Sequence, residues 1–110
     1  MLVILCASKD EQVALMAAER LVGQANVWIE ECSGEKTYLV GPADAAVAKV
    51  NDIYKKVIYL KAENYNTLVK IKDMAETFIR DNRDYKDVMV QFDFNPVNVS
   101  AISFIFTKVL

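Results

Sequence analysis

Leu2-Val3-Ile4-Leu5-Cys6 is an aliphatic run with no polar residue at any position. A strand turns successive side chains to opposite faces, so a strand of this composition needs cover on both. It reads as a central strand, and the rest of the chain must supply a sheet around it and a layer of helices over it. The chain has 110 residues, room for one such core. Its 54% hydrophobic and 25% charged residues are a globular balance.

The periodicities that follow set the order of elements. Ser8 and Glu11 have capping-box spacing, and Val13, Ala17 and Leu21, with Met16 beside them, mark a helix for which Gly23 is a plausible stop. Val27–Cys32 reads as a short strand or connector, and Ser33-Gly34-Glu35 as a turn. Thr37–Val40 is a strand broken by Gly41-Pro42; the alanines after it permit a helical turn, and Asn51-Asp52 suggests a turn before the next strand. That strand runs from Tyr54 to Leu60, with Tyr54, Lys56, Ile58 and Leu60 on one face and Lys55, Val57, Tyr59 and Lys61 on the other. A second helix starts near Asn64 or Asn66, its apolar Leu68, Ile71, Ala75, Phe78 and Ile79 stepping by three and four. In the last clear strand Val88, Val90, Phe92 and Phe94 alternate with Asp87, Met89, Gln91 and Asp93.

Strand, helix, strand, strand, helix, strand is the order of an α+β ferredoxin-like split βαβ sandwich: a four-stranded antiparallel sheet with two helices on one face. The other face is then open, and on it the strand from Tyr54 would display Lys55, Tyr59 and Lys61. The expected domain is 1–97. The segment 98–110 is almost wholly apolar and is expected to dock on the domain or on a partner.

Much chemistry is excluded. The chain has no histidine, so His-based nucleophile activation and the usual zinc sites cannot be built. Three glycines, Gly23, Gly34 and Gly41, make no phosphate-cradling loop. Glu30, Glu31, Asp87 and Asp93 have the spacing of solvated or edge-strand charges. Cys6 and Cys32 form no CxxC pair, and Cys6 suits a buried small hydrophobe. The apolar start is too short to span a membrane and has no basic region before it; a cytoplasmic protein without membrane partner, cofactor or metal is expected.

The net charge is −2, but from Lys49 to Lys72 six lysines stand against Asp52 and Glu63, a local balance of +4. Lysine interleaved with tyrosine on a strand is a combination that nucleic-acid platforms use, the cation meeting phosphate and the ring stacking on an unpaired base. The plain alternative is a set of half-buried sheet tyrosines and solubilising charges.

Gly41-Pro42-Ala43, Val47, Lys49, Tyr54-Lys55 and Ile58-Tyr59-Leu60-Lys61, followed by the helix Asn66–Arg80 and by Val90-Gln91-Phe92-Asp93-Phe94-Asn95-Pro96, together resemble the C-terminal domain of the bacterial primosomal helicase PriA (primosomal protein N′) family. Leu2–Val22 fits the start of that domain. Asp44-Ala45-Ala46 stands where the family has further prolines, lysines stand for its arginines, and Lys56 for an aromatic residue. The resemblance implies a non-catalytic domain of a replication-restart helicase that contacts single-stranded or forked DNA. It also implies docking with single-strand-binding protein, other primosome proteins and the remaining domains of the helicase. The nucleic-acid-binding residues would be Lys49, Tyr54, Lys55, Lys56, Tyr59 and Lys61. The rival expectation is a ferredoxin-like regulatory or ligand-binding domain acting as a dimer through its open face.

Overall fold

The computed structural model describes residues 1–32 and 36–94, with residues 46–50 in backbone alone. The expected tail, 98–110, lies outside the described residues. The elements are β1 (Leu2–Ser8), α1 (Glu11–Glu31), β2 (Thr37–Val50), β3 (Ile53–Ala62), α2 (Tyr65–Arg80), a single 3₁₀ turn (Arg83–Tyr85) and β4 (Met89–Phe94). The sheet has four strands in the order β2-β3-β1-β4, each antiparallel to its neighbours. This is the split βαβ sandwich that the order of periodicities implies.

Both helices cover one face. Leu2, Ile4 and Cys6 of β1 and Ile58 and Leu60 of β3 pack with Ala18, Leu21, Ala25 and Trp28 of α1 and Leu68, Ile71 and Ala75 of α2. Trp28 and Tyr85 each meet Phe78 edge-on, with ring centroids 6.0 and 5.8 Å apart, which closes the end of this core. The Tyr85 hydroxyl donates to the Ala17 carbonyl at 2.6 Å and ties the chain after α2 to the middle of α1.

Two expectations fail locally. Helix α1 is 21 residues long and does not stop at Gly23, and Val27–Cys32 is neither strand nor connector but its last turns. The buried stripe Ala14, Ala18, Leu21, Ala25, Trp28 runs on through the glycine, and burial of that stripe outweighs the roughly 1 kcal/mol that a mid-helix glycine costs. Met16, placed with the inward stripe by its spacing, is exposed. The cap is Asp10 rather than Ser8: Asp10 Oδ1 accepts from the Gln12 and Val13 amides, while Ser8 Oγ accepts from the Asp10 amide.

The other failure is β2, which does not break at Gly41-Pro42 and forms no helical turn. It continues to Val50 with a cis Gly41–Pro42 bond and register shifts between Val40 and Ala43 and between Asp44 and Lys49. Asn51 and Asp52 both take positive φ (54 and 63°), the left-handed pair that closes a two-residue hairpin. The shifts absorb the extra residues, so both ends of β2 pair with β3.

Candidate nucleic-acid interface

Strand β3 carries five of the six residues expected to bind DNA, and the sheet divides them. Tyr54 is half-buried, opposite Ser8 of β1 and Lys49 of β2, so those two tyrosine and lysine positions are ladder neighbours in backbone terms. Lys56 points to the helix side and is buried. Its Nζ donates to Asp44 Oδ1 at 2.5 Å and lies 3.6 Å from Glu11 Oε2 at the start of α1. The hydrogen bond to Asp44 raises the Lys56 pKa; desolvation opposes it, and the charges of Asp44 and Glu11 add to it. Lys55 points to the helix-free face but is only 2% exposed, and among the described residues its Nζ has no hydrogen-bond partner. Desolvation lowers its pKa. The expectation that Lys55 is displayed on an open face is therefore corrected, and Lys56 is engaged inside the protein.

The physical reason is the state of that face. Val3, Leu5 and Val57 project onto it, yet they are 1, 2 and 0% exposed and cluster with Ala45, Met1 and Tyr59. Its centre is dry. Tyr59 lies at the margin of this cluster, half-buried, and burial raises its pKa.

At the β2–β3 end of the helix-free face one corner is exposed, apart from Met89 at the β4 edge. Tyr38 lies opposite Lys61, and Val40 opposite Tyr59, so these four side chains share a face across the β2–β3 ladder. Tyr38 and Val40 are 60% and 63% exposed, and Lys61 is exposed. Beside them a shallow concavity of about 190 Å³ is lined by Lys36, Tyr38, Lys61, Ala62 and Glu63. An aromatic face, two ammonium groups and a single carboxylate converge there. Of the five expected residues on β3, Tyr59 and Lys61 reach this corner and Tyr54, Lys55 and Lys56 do not. Lys36, Tyr38 and Val40 did not stand out in the sequence. Their signal was the alternation in Thr37–Val40, which gains meaning once the hairpin pairs that segment with β3.

No family model matches the chain, and no curated protein matches it. Seven solved chains match in fold. One is from methicillin-resistant Staphylococcus aureus, its crystal structure described as that of a candidate aminohydrolase. It has a TM-score of 0.53 at 10% identity, over 84% of this chain and 28% of that one. This chain thus spans little more than a quarter of that protein's length, and at such identity the likeness is one of fold alone. The class defined by fold and corner is a ferredoxin-like α+β domain with a closed sheet centre and an aromatic, basic corner. No helix among the described residues is long and apolar enough to cross a membrane.

Proposed function

We infer that this chain is a non-catalytic, DNA-contacting domain of a replication-restart helicase of the PriA kind, and that it holds a single-stranded or forked DNA at the corner formed by Lys36, Tyr38, Tyr59 and Lys61. The cross-strand pair of exposed Tyr38 with exposed Lys61 carries this reading. A tyrosine free of packing on one side offers a base its π-face, worth about 1–3 kcal/mol, and a lysine directly opposite reaches the adjoining phosphate. Lys36 on the same concavity supplies a second cation. A net charge of −2 rules out strong bulk attraction, so binding is local and weak. Such a role belongs in the cytoplasm, with single-strand-binding protein, other primosome proteins and the helicase's remaining domains as partners. The rival dimer through the helix-free face has less support, since Val3, Leu5 and Val57 are already withdrawn from solvent within the chain.

The test is fluorescence anisotropy of a labelled single-stranded oligonucleotide titrated with the whole chain. Two phosphate contacts should give a slope of log K against log salt of about −1.4. Tyr38→Ala and Lys61→Glu should each weaken binding without lowering the melting temperature, because both side chains stand in water. Lys55→Met should leave binding unchanged. Absence of binding at low salt, or a loss with Lys55→Met as large as with Tyr38→Ala, overturns the assignment.

A further inference from the structure

The two edges of the sheet are built differently. The β2 edge carries Pro42 in a cis bond and two register shifts, devices that keep a foreign strand from pairing in register. The β4 edge carries none. Met89–Phe94 is a regular strand without proline, lysine or bulge, it pairs with β1 on one side, and among the described residues nothing pairs with its other side.

The helix side of that edge is apolar and partly open. Val88, Val90, Phe92 and Phe94 pack against the core while remaining half-exposed. With α2 they form a groove of about 520 Å³ lined by Lys72, Glu76, Ile79, Arg80, Val88, Val90 and Phe92. Tyr65 extends the strip, its ring 5.4 Å from that of Phe94. A backbone edge able to add a strand, beside a groove able to take that strand's apolar side chains, is the geometry of β-augmentation.

We propose that β4 is a self-association edge, where a second copy of this chain pairs antiparallel with it about a two-fold axis at Gln91 and continues the sheet. The strand's own residues select this occupant. An axis perpendicular to the sheet keeps both pairs of helices on one side and matches residues of the same face. Centred on Gln91, it sets Val90 against Phe92 and Val88 against Phe94 on the helix side, and Met89 against Asp93 on the other. These are β-branched–aromatic pairs over the groove, with no like charges opposed. Centred on Val90, the axis would oppose Asp87 to Asp93; centred on Phe92, it would keep only Val90 against Phe94 as a β-branched–aromatic pair among residues 88–94, where the Gln91 register has two. Along α2, Lys72, Glu76 and Arg80 alternate in sign on the groove's rim, Lys72 and Glu76 forming an ion pair within the helix, so the rim carries no single-sign charge against a second copy. The closed two-fold uses one patch twice and leaves no further edge of this kind.

The experiment is sedimentation of the whole chain across the micromolar range, with circular dichroism to check folding. Gln91 is half-buried on the helix-free side and lines no part of the core, so charges there are tolerated by the fold. The wild-type chain should show a concentration-dependent dimer. Gln91→Lys and Gln91→Glu each place like charges in contact at the axis and should weaken it about fivefold. An equimolar mixture of the two variants should recover the affinity. A wild-type chain that stays monomeric across the range, or a dimer indifferent to both charges, overturns the proposal. Neither result bears on the Tyr38 corner, which lies at the opposite edge of the sheet.

Discussion

Lys55 and Lys56 are adjacent, chemically identical and opposite in their consequences. Lys55 is buried without a hydrogen-bond partner among the described residues, and desolvation lowers its pKa. The folded chain then binds fewer protons at this site than the unfolded chain between the lowered value and the ordinary 10.5, so its penalty is full below that window and fades as pH rises through it. Lys55→Met removes the buried amine and keeps the stem. It should raise stability by about 1–3 kcal/mol near neutral pH and flatten the alkaline rise. Lys56 is the reverse case: with its pKa raised by Asp44, its contribution is full below 10.5 and is lost as pH climbs through the raised value. Lys56→Met should cost about 0.5–1 kcal/mol at neutral pH, a modest figure because Asp44 and Glu11 stand mostly in water. Urea unfolding followed through the fluorescence of Trp28, buried in the core, measures both. The same substitution at neighbouring positions should change stability in opposite directions.

At the scale of elements, glycine separates local preference from packing. Gly23 lies inside α1, and a methyl group built there meets nothing within 4 Å. Gly23→Ala should stabilise the protein by about 0.5–1 kcal/mol, seen as a higher melting temperature. Gly41 has φ +124°, and a Cβ there would lie 2.7 Å from the Val57 carbonyl oxygen. Gly41→Ala should be strongly destabilising in the same assay, since neither the backbone angle nor the β3 backbone can yield cheaply. Helix α2 was legible in full: Asn64 caps it through the Asn66 amide, and Leu68, Ile71 and Ala75 are buried as their spacing demands. The extent of α1 was not legible, because Val27–Cys32 reads as a short strand or connector until Trp28 is seen in the core, edge-on to Phe78. Strand β2 was half-legible: Asn51-Asp52 announced a hairpin, but the register that lets residues beyond Pro42 rejoin β3 is a property of the pair.

Across the whole molecule, burial sorts groups that composition leaves alike. The thiol of Cys6 sits at the centre of the sheet and burial pushes its pKa up to about 12, while Cys32 is half-exposed at the end of α1. An alkylating reagent at mildly alkaline pH should therefore modify Cys32 readily and Cys6 only through unfolding. Mass spectrometry of the labelled chain reads this directly, and equal rates at the two thiols would mean that the core opens far more often than its packing implies. Period and order alone determined the succession of elements, though not the extent of α1 and β2: an aliphatic run, two amphipathic helices and alternating strands admit few arrangements besides a split βαβ sheet, because each apolar face must find another. The candidate site was decided elsewhere. Alternation along β3 assigns Lys55 and Lys61 to one face, yet one is buried and the other exposed, since the difference lies in what each position meets across the sheet. Lys61 sits opposite exposed Tyr38, whereas Lys55 sits beside Val57 and opposite buried Ala7. The run Leu2–Cys6 already required cover on both faces of β1. Which residues that cover would take from solvent depends on contacts between segments far apart in the chain, and only the tertiary structure holds that information.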